Sequence, residues 1–169
     1  LTQSELIKVG VAAVALVGAG VVIWSRLASD DAGAAPVYFY DVSEKQLYAV
    51  PKDSVPPLAG LGGAADDGVR AYVIACKGDC GDVSKRKIAY LETYTPELRK
   101  LQSEINAALK AGTPPPPGES RDFYSSNTLV RLVDAEKWYP ISSPEGLEIT
   151  RAWMNDLCAD GKQKVVCTP

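Results

Sequence analysis

Histidine is absent from all 169 residues. That absence removes Ser-His-Asp and Cys-His catalysis and every His-ligated zinc site. A basic excess is lacking too: the formal net charge is −3, which argues against a dedicated nucleic-acid binder. No internal repeat is visible. The Gly-rich stretch Ala59-Gly60-Leu61-Gly62-Gly63 has neither Lys-Ser/Thr nor a helix after it, so it is not a phosphate loop. No pair of acid and base residues stands out, and the sequence reads as non-enzymatic, with no cofactor. The 46% hydrophobic content is that of a folded chain.

What is present is strongly asymmetric. Residues 9–24, VGVAAVALVGAGVVIW, are sixteen positions without a charge. Leu6, Ile7 and Leu27 extend the apolar span, interrupted by Lys8, Ser25 and Arg26. As a helix, about 22 residues would reach roughly 33 Å, the thickness of a bilayer's hydrocarbon core. The span holds six Val, three Leu and two Ile. At about 1.5–3 kcal/mol each, their burial is worth roughly 15–30 kcal/mol as an upper bound. Lipid or protein is therefore expected to cover them. The expected organisation is a transmembrane or filament-core helix over residues 1–27, a linker over 28–36 and a globular head over 37–169.

The first residues are Leu1-Thr2-Gln3-Ser4-Glu5-Leu6-Ile7. An apolar first residue, Thr2, Glu5 and an immediate apolar run resemble the start of mature subunits of the type IV pilin and pseudopilin superfamily. The chain does not begin with Met, as expected after removal of a leader by a prepilin peptidase. The resemblance implies a structural subunit of an extracellular filament at the cell surface, held in the inner membrane before assembly. Its partners would be further copies of itself, the pilus assembly machinery and the peptidase, with no nucleic acid. An unpaired Glu among apolar side chains is costly. The α-amino group of Leu1 would offset that cost, so Leu1 and Glu5 are the candidate assembly residues that set register. The alternative is a single-pass membrane-anchored protein whose extracytoplasmic domain binds a partner.

The head reads as α+β, a small antiparallel sheet with helices and disulfides behind a long hydrophobic N-terminal helix. Val37–Val42 and Gln46–Val50 read as a hairpin. Residues 51–68 are rich in Pro and Gly and read as loop. Val69–Cys76, Arg86–Tyr94 and Leu129–Val133 read as strands. Thr95-Pro96 starts a helix that Gly112 stops near Ala111. Ser143-Pro144 starts a last helix carrying Leu147, Ile149, Trp153, Met154 and Leu157, and Lys164–Cys167 closes as a short strand.

Four cysteines, Cys76, Cys80, Cys158 and Cys167, allow three disulfide pairings. The expectation is nearest-neighbour pairing, Cys76–Cys80 and Cys158–Cys167. A C-terminal disulfide loop is also similar to that of many type IV pilins. Disulfides imply an oxidising, extracytoplasmic compartment. The spacing suits zinc poorly, and no metal is assigned. Asp66-Asp67 and Asp79–Asp82 are the densest acidic loops, without EF-hand spacing. Lys85-Arg86-Lys87 reads as solvated charge at a strand start.

Overall fold

The computed structural model describes residues 35–169. Its first element is made by β-branched and aromatic residues, which suit a pleated, half-buried surface. β1 (Val37–Asp41) pairs antiparallel with β2 (Gln46–Val50), Val37 opposite Val50 and Asp41 opposite Gln46. Asp41 is fully buried and ties the hairpin down. Its Oδ1 accepts from the Glu44 amide at 2.8 Å, and its Oδ2 accepts from the Leu61 amide twenty residues on. The Glu44 amide above all, then the Leu61 amide, hold its carboxyl below the usual carboxylate range, while burial pushes the other way.

β3 (Gly68–Cys76) is the centre of the sheet. One of its edges pairs with β4 (Lys87–Tyr94), with a register shift between Tyr72 and Val73. Its other edge is shared. β1 takes Gly68–Arg70, and β7 (Lys164–Val166) takes Ile74–Cys76. β5 (Thr128–Arg131) and the two-residue β6 (Tyr139–Pro140) complete the order β2-β1-β3-β4-β5-β6, every pairing antiparallel. Alternation along β3 places Val69, Ala71, Val73 and Ala75 on one face, buried with Tyr38, Leu91 and Cys167. Arg70 and Tyr72 fall on the other face.

Three helices accompany the sheet. α1 (Pro96–Ala111) starts at Thr95, whose Oγ1 accepts from the Leu98 amide, and stops at Gly112 with φ 65°, where a side chain would be strained. α2 (Arg121–Asn127) is capped by Ser120 and α3 (Pro144–Ala152) by Ser143. These are short amphipathic helices, and only Leu98 of α1 is buried. Among the described residues no helix is long and apolar enough to cross a membrane.

The expected fold class is therefore corrected. The described chain is a seven-stranded antiparallel sheet with three short helices and two disulfides, not an α+β head behind a long apolar helix. The span of residues 1–27 assigned to that helix lies outside the described residues. The last helix is corrected as well. It ends at Ala152 and passes into a 3-10 turn at Trp153–Asn155, leaving Leu147, Met154 and Leu157 exposed. Its buried residue is Gly146 instead. The hairpin, β3, β4, α1 and the closing strand agree with the sequence reading to within about two residues.

Gly146 explains how α3 sits so close to the sheet edge. A Cβ there would meet the Pro140 carbonyl oxygen, with Ile141 Cα at 2.9 Å, both unyielding backbone. In an exposed helix, Gly→Ala stabilises by about 1 kcal/mol. Here Gly146→Ala is expected to do the opposite, destabilising by about 1–3 kcal/mol as overpacking does. Thermal unfolding of the variant checks the sign.

Candidate functional site

The cysteines are all bonded, but not to their neighbours. Cys76 bonds Cys158 and Cys80 bonds Cys167, with Cα separations of 5.8 and 5.5 Å. The expected local pairing is overturned by the strand order. Once β7 runs along β3, the Cys167 amide donates to the Val73 carbonyl at 2.8 Å, and Cys167 lies against the core beside the turn holding Cys80. The Leu157–Gln163 bridge turns the chain so that Cys158 faces the end of β3. The bonds span 82 and 87 residues.

A buried ionic group occupies the other face of β3 and β4. Arg70 and Glu92 are directly opposite in the register, and Arg70 Nη1 donates to Glu92 Oε1 at 3.3 Å. Arg70 Nη2 donates to the Ser54 carbonyl at 3.3 Å. Burial pushes the Glu92 carboxyl above its usual range, and Arg70 and the Tyr94 hydroxyl pull it back. Tyr72 and Tyr90 stack beside it, centroids 4.3 Å apart, and burial raises both phenols. Arg70 and Glu92 neutralise each other across the strands, with Arg70 Nε left without a hydrogen-bond partner, and the pair acts as a structural clamp.

The concave feature lies where β4 gives way to α1. An open cleft of about 580 Å³ is lined by Thr93 and Tyr94 of β4, by Arg99, Lys100 and Ser103 of α1, and by Asp66 and Trp138. Its geometry follows from the Thr95-Pro96 helix start. Thr95 donates to Asn127 Oδ1 at 2.7 Å, which locks the strand-to-helix corner to the end of α2. Trp138 is held by the buried Arg131, whose guanidinium lies 4.8 Å from the indole centroid. Arg131 in turn donates to the Ala135 carbonyl. Arg99 pairs with Asp66 at 2.6 Å. Lys100 reaches Glu104 only at 4.0 Å and is largely exposed. Thr93 is 92% buried, since its relative exposure is 8%. Its Oγ1 has no hydrogen-bond partner in the protein.

Leu1 and Glu5 lie outside the described residues. The acidic loops are spent within the fold. Asp82 accepts from the Ser84 amide and hydroxyl at 3.0 and 2.7 Å, and Asp79 pairs with Lys85 at 3.3 Å. Asp67 accepts from the Ser43 amide at 3.1 Å. Among the described residues no group of three or more ligating side chains is placed to hold a metal. The basic triplet does not form one patch: Lys85 turns to Asp79, while Arg86 donates to the Cys80 carbonyl at 2.7 Å and lies over Tyr38. Thr93, Arg99 and Trp138 were not singled out by the sequence reading. The Thr95-Pro96 signal places Thr93 and Arg99 on either side of one corner, but the return of Trp138 through β5 and β6 has no local signature. No family model matches the chain, and no curated protein or solved structure is significantly similar to it.

Proposed function

We propose that the chain is a structural subunit of a type IV pilus-like extracellular filament, non-enzymatic and displayed at the cell surface. The observation that carries this reading is the order of the sequence: a lone Glu5, an uncharged run over residues 9–24, then a head closed by two disulfides. The disulfides suit an oxidising, extracytoplasmic compartment. In this reading the apolar segment is held in the inner membrane and then exchanges lipid for other subunits during assembly. Glu5 pairs with the Leu1 amine, its own or a neighbour's, because a carboxylate among apolar side chains needs a partner. That pairing sets the axial register between copies.

Glu5→Ala is expected to leave the head folded and its disulfides formed while abolishing filaments in negative-stain microscopy. Filaments of normal yield from this variant overturn the registration role. The mass of the N-terminal peptide from native material tests the other half of the pair. A chain starting at Leu1 supplies the amine; a chain continuing upstream removes it and with it the proposed pairing.

A further inference from the structure

Among the described residues, β2 is the outer strand whose edge has no protection. An open strand edge offers N–H and C=O groups to another strand, and native sheets blunt such edges with Pro, charge or short length. β6 has two residues and ends in Pro140, and β7 has three and begins with Lys164. β2 lies at the end of the sheet order and has five residues, Gln46-Leu47-Tyr48-Ala49-Val50, with neither charge nor Pro. The register says which groups its edge presents. The Val42 amide donates to the Asp67 carbonyl, in step with the β1–β3 pairing. Backbone groups alternate in direction along a strand, so Tyr40 faces β3, while Phe39 and Asp41 face β2. Their partners Tyr48 and Gln46 face back toward β1. Leu47 and Ala49 are left with N–H and C=O directed outward, and Ala49 is exposed. The edge is bounded at both ends. Lys45 turns the chain with φ 53°, and Pro51 has no N–H to give.

We infer that β2 pairs with β2 of a second copy of this chain, antiparallel about a two-fold axis at Tyr48. That register overlaps all five residues of the strand. It sets Leu47 against Ala49 of the other copy and Ala49 against Leu47, each pair exchanging both of its N–H···O bonds. Charge complementarity comes with the same register. Glu44 falls opposite Lys52 of the other copy at each end of the ladder. Both side chains are exposed, and neither is ion-paired within the described residues. The neighbouring registers lack this match. An axis at Leu47 sets Glu44 opposite Val50, and an axis at Ala49 sets Leu47 opposite Pro51, which cannot donate. The pairing uses no residue of the apolar segment, so the inference does not rest on the filament reading.

The test is hydrogen exchange by NMR on the full chain in detergent micelles, over a range of protein concentrations. Protection of the Leu47 and Ala49 amides is expected to rise with concentration. Lys52→Glu sets carboxylates against each other at both ends and is expected to weaken the association about tenfold. Glu44→Lys/Lys52→Glu restores opposite charges in the same register and is expected to regain the protection. Ala49→Pro removes an outward N–H that the hairpin does not use, so it is expected to keep Tm and abolish the concentration dependence. If Ala49→Pro unfolds the head, the charge reversal and its rescue decide. Leu47 and Ala49 amides that exchange alike at every concentration overturn the inference, and so does a double variant that fails to regain protection. A concentration dependence that survives Lys52→Glu also overturns it, since association through the apolar segment alone would behave that way. Glu5→Ala can lose its filaments with these results unchanged, so the two readings fail separately.

Discussion

The double variant Cys76→Ser/Cys158→Ser is expected to lose about 3–5 kcal/mol of stability, a fall in Tm of about 10–20 °C. The reason is loop size. In the chain-entropy model a bond closing 82 residues alone withholds roughly 4–5 kcal/mol of freedom from the unfolded chain, and about 3 kcal/mol while Cys80–Cys167 already holds the same ends near each other. A bond between Cys76 and Cys80 would withhold only about 2 kcal/mol in the same model. Thermal unfolding of the full chain, followed by near-ultraviolet circular dichroism, measures the loss; a fall of less than about 3 °C would contradict it. Removing Cys80–Cys167 as well is expected to cost more than the first bond did, because the surviving bond short-circuits the chain during the first removal and its own loss frees a loop of 87 residues. Tryptic peptides from the unreduced protein check the pairing directly. Trypsin cuts after Lys77 and Lys162, between the members of each neighbouring pair. Peptides holding Cys76 and Cys158 should therefore stay joined until reduced.

Arg70→Ala is expected to be the most damaging single charge removal among the described residues. It strands Glu92, whose side chain is only 7% exposed, without its cation. Breaking a buried pair from one side costs about 3–5 kcal/mol. The lower end, about 3 kcal/mol, applies because Arg70 keeps 24% of its side chain in contact with solvent. The sign of the pH dependence separates this from lost packing. Burial already raises the folded Glu92 carboxyl above its unfolded value, and losing Arg70 raises it further. A raised carboxyl destabilises the fold above its folded pKa and has no effect below its unfolded one. The deficit of Arg70→Ala should therefore be full above the raised carboxyl value and shrink as pH falls from it toward the ordinary carboxylate range. Arg70→Met/Glu92→Leu, which replaces both charges by apolar groups, is expected to be nearly neutral. Urea unfolding of both variants at several pH values measures each part.

Local signals in this sequence translated well into local structure. Alternating aromatic and β-branched residues marked β1, β2 and β3. Thr95-Pro96 and Gly112 bounded α1 because capping is decided within four residues. Contacts set by topology did not translate. The disulfide partners depend on which edge of β3 the last strand joins, and three residues, Lys164–Val166, make that choice. The apolar stripe from Leu147 to Leu157 has helical spacing, yet the helix stops at Ala152 and most of the stripe stays exposed. What packs there is the backbone beside Gly146, which periodicity does not register. The cleft was hidden for the same reason. Its β4 and α1 residues are close in sequence, but Trp138 and Asp66 arrive from elements that lie on either side of α1 in the chain.

The crossed disulfides also decide how the head behaves under tension. Pulled between Ala35 and Pro169, the chain can pay out what precedes Cys76, the short stretch from Cys76 to Cys80 and the two residues after Cys167, about 47 residues or roughly 160 Å when extended. Everything from β4 to α3 lies inside the covalent loops and bears no load along its own backbone. Reduction would free roughly another 300 Å of contour length. The four sulfur atoms thus act as a stop on extension, and a molecule stretched to that stop still keeps the strand-to-helix corner of Thr93 and Arg99 off the load path.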